Sequence, residues 1–183
     1  MKNNKKKLLT SPIKGVNKLD NFKQHAPNKE ALSNLLLKGK NKEAYDIVMR
    51  SRNIKVDDSR LYFLMGITCK INKDFTWAKK FLTASNRIEP NEKRIVYELA
   101  GAYTDCKEYD EALNLLDKNY LLDSKDIEIC YILALIYMGK GNLNSAKYNF
   151  IKVLRSKTDL PNIYYNYAIF LNKIDKHRIA VKY

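Results

Sequence analysis

Residues 99–116 read LAGAYTDCKEYDEALNLL. Leu99, Ala100 and Tyr103, with Val96 just upstream, recur at i, i+3, i+4 and i+7, the spacing of one helix face. After a polar break, Ala112, Leu113, Leu115 and Leu116 open a second face of the same kind. The break gathers Asp105, Cys106, Glu108, Asp110 and Glu111, a density of acid and thiol that invites a metal-site reading. A hard cation, however, needs several oxygens converging on one point, and consecutive helical residues such as Asp110 and Glu111 point about 100° apart. No histidine is near in sequence, and acids in the first turn of a helix are favoured by its dipole. The stretch therefore predicts two helices joined by a solvated turn, and no metal.

The same hairpin is written repeatedly. Ala44, Ala78, Ala112, Ala146 and Ala180 are spaced by 34 residues each time. Twelve residues before them stand Leu32, Gly66, Ala100, Ala134 and Ala168, small in four cases of five. Three residues further on come Leu35, Cys69, Tyr103, Tyr137 and Leu171, all apolar or aromatic, and Val48, Leu82, Leu116 and Phe150 follow the first four alanines by one helical turn. Between the two faces of each unit lie short breaks such as KGKNKE and GKGNLNS, rich in Gly, Asn and Lys as a turn requires. Small residues recur because helices packed at ~20° approach closely only where side chains are short. An all-α solenoid of antiparallel helix pairs follows.

In its period and its residues this pattern resembles the tetratricopeptide repeat (TPR) family. The resemblance is most literal at Tyr62, Met65, Gly66, Ala78, Leu82 and Pro90, and recurs at Leu99, Ala100, Tyr103, Ala112 and Leu116. Units are set at 25–58, 59–92, 93–126, 127–160 and a partial 161–183. Asn28 stands where the opening aromatic belongs, and only Pro90 keeps the terminal proline. The last unit stops partway through its second helix, so either that helix is short or the natural protein continues. The resemblance implies a right-handed superhelix whose concave groove is lined by the first helix of each unit and binds peptides or protein segments.

Bulk properties narrow the remaining choices. The 183 residues, 45% hydrophobic, suffice for a packed core. Cys69, Cys106 and Cys130 are odd in number and form no C-x-x-C pair, which predicts free thiols in a reducing compartment, Cys106 on the turn being the most reactive. No signal-peptide pattern is visible and the longest apolar run, 129–138, falls short of the ~20 residues of a membrane span. A cytoplasmic protein is expected. Of the net charge of +14, residues 1–24 hold +6, from seven lysines and one acid, and read as a flexible basic tail. Lysines outnumber arginines 27 to 7, whereas bidentate reading of phosphates and guanines favours arginine. Nucleic acid is accordingly a weak candidate.

No catalytic constellation emerges. His25 and His177 lie at opposite ends of the array, and neither Gly39-Lys40 nor Gly139-Lys140-Gly141 has phosphate-loop spacing. The sharpest functional signal is a ladder: Lys29, Phe63, Tyr97, Tyr131 and Tyr165 occupy one equivalent position in five first helices, which the resemblance puts on the groove. Ala26, Arg60, Arg94, Glu128 and Asn162 precede them by three residues, on the same helical face. Tyr and Arg are common binding anchors, although rings at this position also pack on one another. Trp77, with mostly polar equivalents and next to the buried Ala78, either packs against the preceding turn, the favoured reading, or stands exposed as a second contact surface.

The function expected is a non-catalytic scaffold that holds a protein segment with acidic and apolar residues, without cofactor. One TPR subtype grips chaperone C-terminal carboxylates; at the matching positions stand Lys29, Ser33, Leu64, Arg94 and Glu98, of which only the two cations fit. Alternatives are the substrate-selecting region of a larger glycosyltransferase- or sulfotransferase-like enzyme and an RNA-associated helical repeat. If the groove binds, Tyr97→Ala with Tyr131→Ala is expected to abolish capture with little change in melting.

Overall fold

The computed structural model describes residues 26–119, 121, 125–156, 162–176 and 180. The basic segment 1–24, His25 and His177 lie outside the described residues. Among those described, nine helices follow one another: α1 (Lys29–Leu37), α2 (Asn41–Arg50), α3 (Ser59–Ile71), α4 (Phe75–Ile88), α5 (Lys93–Asp105), α6 (Tyr109–Lys118), α7 (Ile127–Gly139), α8 (Leu143–Arg155) and α9 (Ile163–Lys173).

Short polar side chains start these helices. Asp58, Glu92 and Asp126, one repeat apart, each accept a backbone N–H from the first turn of the helix that follows, and Asn28, Asp74 and Asn142 do the same for theirs. The first-to-second-helix turns are built alike. Their central residues, Gly39, Lys73, Lys107, Gly141 and Asp175, all have positive φ, between 57° and 78°. In each turn this residue donates three residues back and the next residue donates five back, as in Lys107 N to Thr104 O (2.9 Å) and Glu108 N to Tyr103 O (2.8 Å). The five turns thereby satisfy carbonyls that the ending helix leaves open.

The periodic small residues sit where the two helices of a unit cross. Ala44, Ala78, Ala112 and Ala146 are fully buried, as are Val48, Leu82, Leu116 and Phe150. At Gly66 an added Cβ would lie 2.6 Å from Leu82 Cγ, so α3 and α4 approach more closely than alanine permits. Ala180 joins Phe150 and Phe170, whose rings lie 5.3 Å apart, in the last core cluster. Cys130 is buried in this cluster and Cys69 in the one formed by the first two units, with burial pushing both thiols up, that of Cys69 to about 12.

Hydrogen bonds and ion pairs tie each unit to the next. Tyr45 on α2 donates to Asp74 Oδ2 at 2.8 Å, and one repeat later Lys79 on α4 pairs with Glu108. The Asp74 bond raises the Tyr45 phenol to about 12. In the next register the residues are Leu113 and Asn142, which have no such chemistry. First helices contact one another in sequence, α1 with α3, α3 with α5, α5 with α7 and α7 with α9. Among the described residues no second helix has a Cα within 8 Å of another second helix. The layer of first helices is therefore the tighter, inner side, and the second helices form the wider, outer side.

Both ends of the array depart from the expected register. Ala26, placed by the repeat one turn before Lys29 in a helix, precedes the Asn28 cap, because Pro27 disfavours helical geometry in the residue before it. Asn162 is likewise the left-handed N-cap of α9, with φ 63°, and not an interior helical residue.

Candidate functional site

The inner face carries two adjacent hollows. The first, of about 390 Å3, is built by α1, α3, α5 and the segment before α5; Phe63, Leu64 and Ile95 line it together with Arg60, Arg94, Glu89, Glu92, Ser33 and Ser59. The Arg94 guanidinium carbon stands 5.1 Å from the Phe63 ring centroid, a stacking that orders the cation without neutralising it. Arg60 is exposed. Glu92 is already committed, its Oε2 accepting the Ile95 N–H at 2.8 Å.

The second hollow, of about 320 Å3, lies between α3, α5, α7 and the start of α9. Tyr97, Tyr131, Asn162 and Asn166 line it with Lys70, Thr104 and Asp105. Asn166 donates its amide to the Tyr131 hydroxyl across one repeat. Burial pushes the Tyr97 phenol well above its ordinary range, with the charges of Glu98 and Glu128 adding to it; burial also raises Tyr131, against the Asn166 bond. Both phenols hence stay protonated at neutral pH, each able to donate and to accept. Lys70 Nζ pairs with Glu98 Oε2 at 2.7 Å, so the Glu98 carboxylate is neutralised locally. Asp105 is exposed as a residue, yet the loss of water around its carboxyl raises it, Lys70 pulling the other way.

The predicted ladder is thus divided. Arg60, Phe63 and Arg94 come together in the first hollow, and Tyr97 and Tyr131 in the second. Lys29 lines neither: it begins α1 and its ammonium binds Asp58 Oδ2 at 2.7 Å. Tyr165 lines neither and is 67% exposed. Trp77 is half-buried and packed, its ring 5.4 Å from Phe81 and capped by Lys80 Nζ at 4.3 Å, which disfavours the alternative of an exposed second surface. The acids of the 105–111 turn diverge, Glu108 to Lys79 and Asp110 to Lys140 in the next unit, while burial raises the Cys106 thiol despite the pull of Lys79. Tyr131 is only 8% exposed and belongs to the core, so its replacement by alanine would cost about 3 kcal/mol and cannot leave melting unchanged. Lys70 and Asn166 were not anticipated; the i, i+4 spacing of Asn162 and Asn166 is the one sequence signal that pointed to the latter.

No protein-family model and no curated protein matches the chain. Solved structures do. MamA (residues 41 to the end) from Desulfovibrio magneticus RS-1 superposes with a TM-score of 0.64 at 18% identity, over 86% of this chain and 92% of that one. YrrB, described as a TPR protein with an unusual peptide-binding site, gives 0.58 at 15% identity over 88% and 84%. This chain has the tetratricopeptide-repeat fold. PilF of Pseudomonas aeruginosa gives 0.52 at 18% identity, over 70% of the TPR array's chain and 60% of its own. No TPR helix among the described residues is long and apolar enough to cross a membrane.

Proposed function

We propose that the TPR array is a non-catalytic scaffold that holds a segment of another protein along its inner face, spanning both hollows. The observation that carries this reading is the juxtaposition of two unlike hollows on one continuous layer of first helices. One presents Arg60 and Arg94 over an apolar floor, suited to a carboxylate beside an apolar side chain. The other presents protonated phenols and Asn166, suited to peptide amides, which both donate and accept. YrrB, similar in fold, is described as having a peptide-binding site, which supports the reading by analogy.

Arg60→Glu with Arg94→Glu tests it, because both side chains are exposed and the fold does not depend on them. Capture from a cell extract, with a photo-crosslinker at position 64 and mass spectrometry of the crosslinked peptides, is expected to fall about tenfold or more in the double variant. Full capture by the folded double variant, or crosslinks confined to residues outside both hollows, would remove the inner face from consideration.

A further inference from the structure

A third hollow opens on the outer side of the array, away from both of these. It has a volume of about 460 Å3, lies between the start of α7 and helix α8, and is lined by Lys125, Ile127, Tyr148 and Lys152. Tyr148 is 61% exposed, with Lys152 Nζ 4.5 Å from its ring centroid. Tyr148, Lys152 and Arg155 stand at i, i+4 and i+7 and share one face of α8. Helix α8 carries Lys147, Lys152 and Arg155 and no acid at all. The acid next to Lys125, Asp126, is engaged in capping α7 and in an ion pair with Lys93, while the exposed Glu128 acts on Tyr97 at the inner face.

An apolar floor, one accessible ring and a one-sided run of cations define the complementary ligand. We infer that this outer hollow docks a short acidic segment of another protein, one apolar side chain seating on Ile127 against the Tyr148 ring while flanking carboxylates meet Lys125, Lys152 and Arg155. Single-stranded nucleic acid suits the surface less well. It stacks successive bases on successive rings, and among the described residues Tyr148 is the one exposed ring on the second helices: Trp77 packs on Phe81, and Tyr45 is held by Asp74. A lone ring beside a lone apolar floor fits a lone anchor side chain. The site is independent of the inner-face reading and stands if that reading fails.

The test uses the full chain carrying Arg60→Glu and Arg94→Glu, so that the two arginines of the first inner hollow contribute nothing. Fluorescence anisotropy of a labelled peptide, EEDLLDEE, is followed at about 150 mM salt, where only close charge contacts survive screening. Binding is expected in this background. Adding Lys125→Glu and Lys152→Glu should weaken it about tenfold or more, and exchanging the two peptide leucines for serine about fivefold. Circular dichroism confirms that the charge variants, all at the surface, remain helical. The proposal is overturned by absence of binding, by a charge reversal that leaves affinity within about twofold, by indifference to the leucines, or by an oligouridine that binds the same background more tightly than the peptide.

Discussion

The five left-handed turn residues allow backbone strain to be separated from packing. Gly39 and Gly141 adopt positive φ without a Cβ, whereas Lys73 and Lys107 adopt φ 62° with one. For an L-residue the left-handed region costs ~1–2 kcal/mol, and glycine returns ~0.4–1 kcal/mol of that through the greater freedom of its unfolded chain. Lys73→Gly and Lys107→Gly are therefore each expected to stabilise the array by ~0.5–1 kcal/mol, and the two together additively, since they lie in different units. Both lysines are exposed, so little packing is lost. The reverse change is as informative: around Gly141 no heavy atom lies within 4 Å of an added Cβ, yet Gly141→Ala is expected to lose ~1 kcal/mol from backbone strain alone. Urea unfolding followed by circular dichroism reads the midpoint, and heating should report about 2–4 °C for each kcal/mol. Destabilisation by both lysine-to-glycine changes, or a neutral Gly141→Ala, would refute the claim that φ governs these positions.

Other expectations follow from packing and charge. Gly66→Ala pushes a Cβ against Leu82 and should cost ~1–3 kcal/mol, with the cost falling when Leu82→Ala is added, as a double-mutant denaturation cycle would measure. Ala112→Leu, at a fully buried crossing, should cost a similar ~1–3 kcal/mol by urea denaturation. Tyr45→Phe removes the bond to Asp74 that joins units one and two and should cost ~1 kcal/mol, visible as faster amide hydrogen exchange in α2. The Lys29 bond, with the Leu61 N–H, holds the Asp58 carboxyl below its usual range. Its stabilising contribution is therefore complete above the unfolded carboxylate value of ~3.9 and is lost as pH falls through the lower folded value. Asp58→Asn, which keeps the cap, should be less stable than the wild type at neutral pH and should converge with it in acid; a gap that widens on acidification would contradict this.

Repetition made the fold readable. Five alanines in register located the crossings: Ala44, Ala78, Ala112 and Ala146 are buried where the two helices of a unit meet, and Ala180 is buried in the last core cluster. The turn geometry was half legible. Gly39 and Gly141 mark the left-handed residue, but Lys73, Lys107 and Asp175 hold the same conformation because the flanking helices and their hydrogen bonds impose it. Register failed at the two ends, where Pro27 and the Asn162 cap act locally and override the period. For the site, equivalence of position grouped Arg60, Phe63, Arg94, Tyr97 and Tyr131, which line the two hollows, with Lys29 and Tyr165, which line neither, and it said nothing of how deep each lies. The burial of Tyr131 depends on Asn166 reaching back from the following unit, and Lys29 is drawn off by Asp58, a residue 29 positions away. Contacts between units, not composition within one, decide such matters.

The unequal joining of the two helical layers has a mechanical side. First helices abut one after another like the spine of a book, whereas second helices are linked through the first helix of the next unit and through the Tyr45–Asp74, Lys79–Glu108 and Asp110–Lys140 clasps. At the third joint Leu113 and Asn142 form no such bond, and the exposed Asp110–Lys140 pair is the clasp there, beside the hollow that Tyr97 and Tyr131 share. A segment laid across both hollows would press on joints held by unlike clasps, and the curvature of the array would become part of what the ligand is selected by.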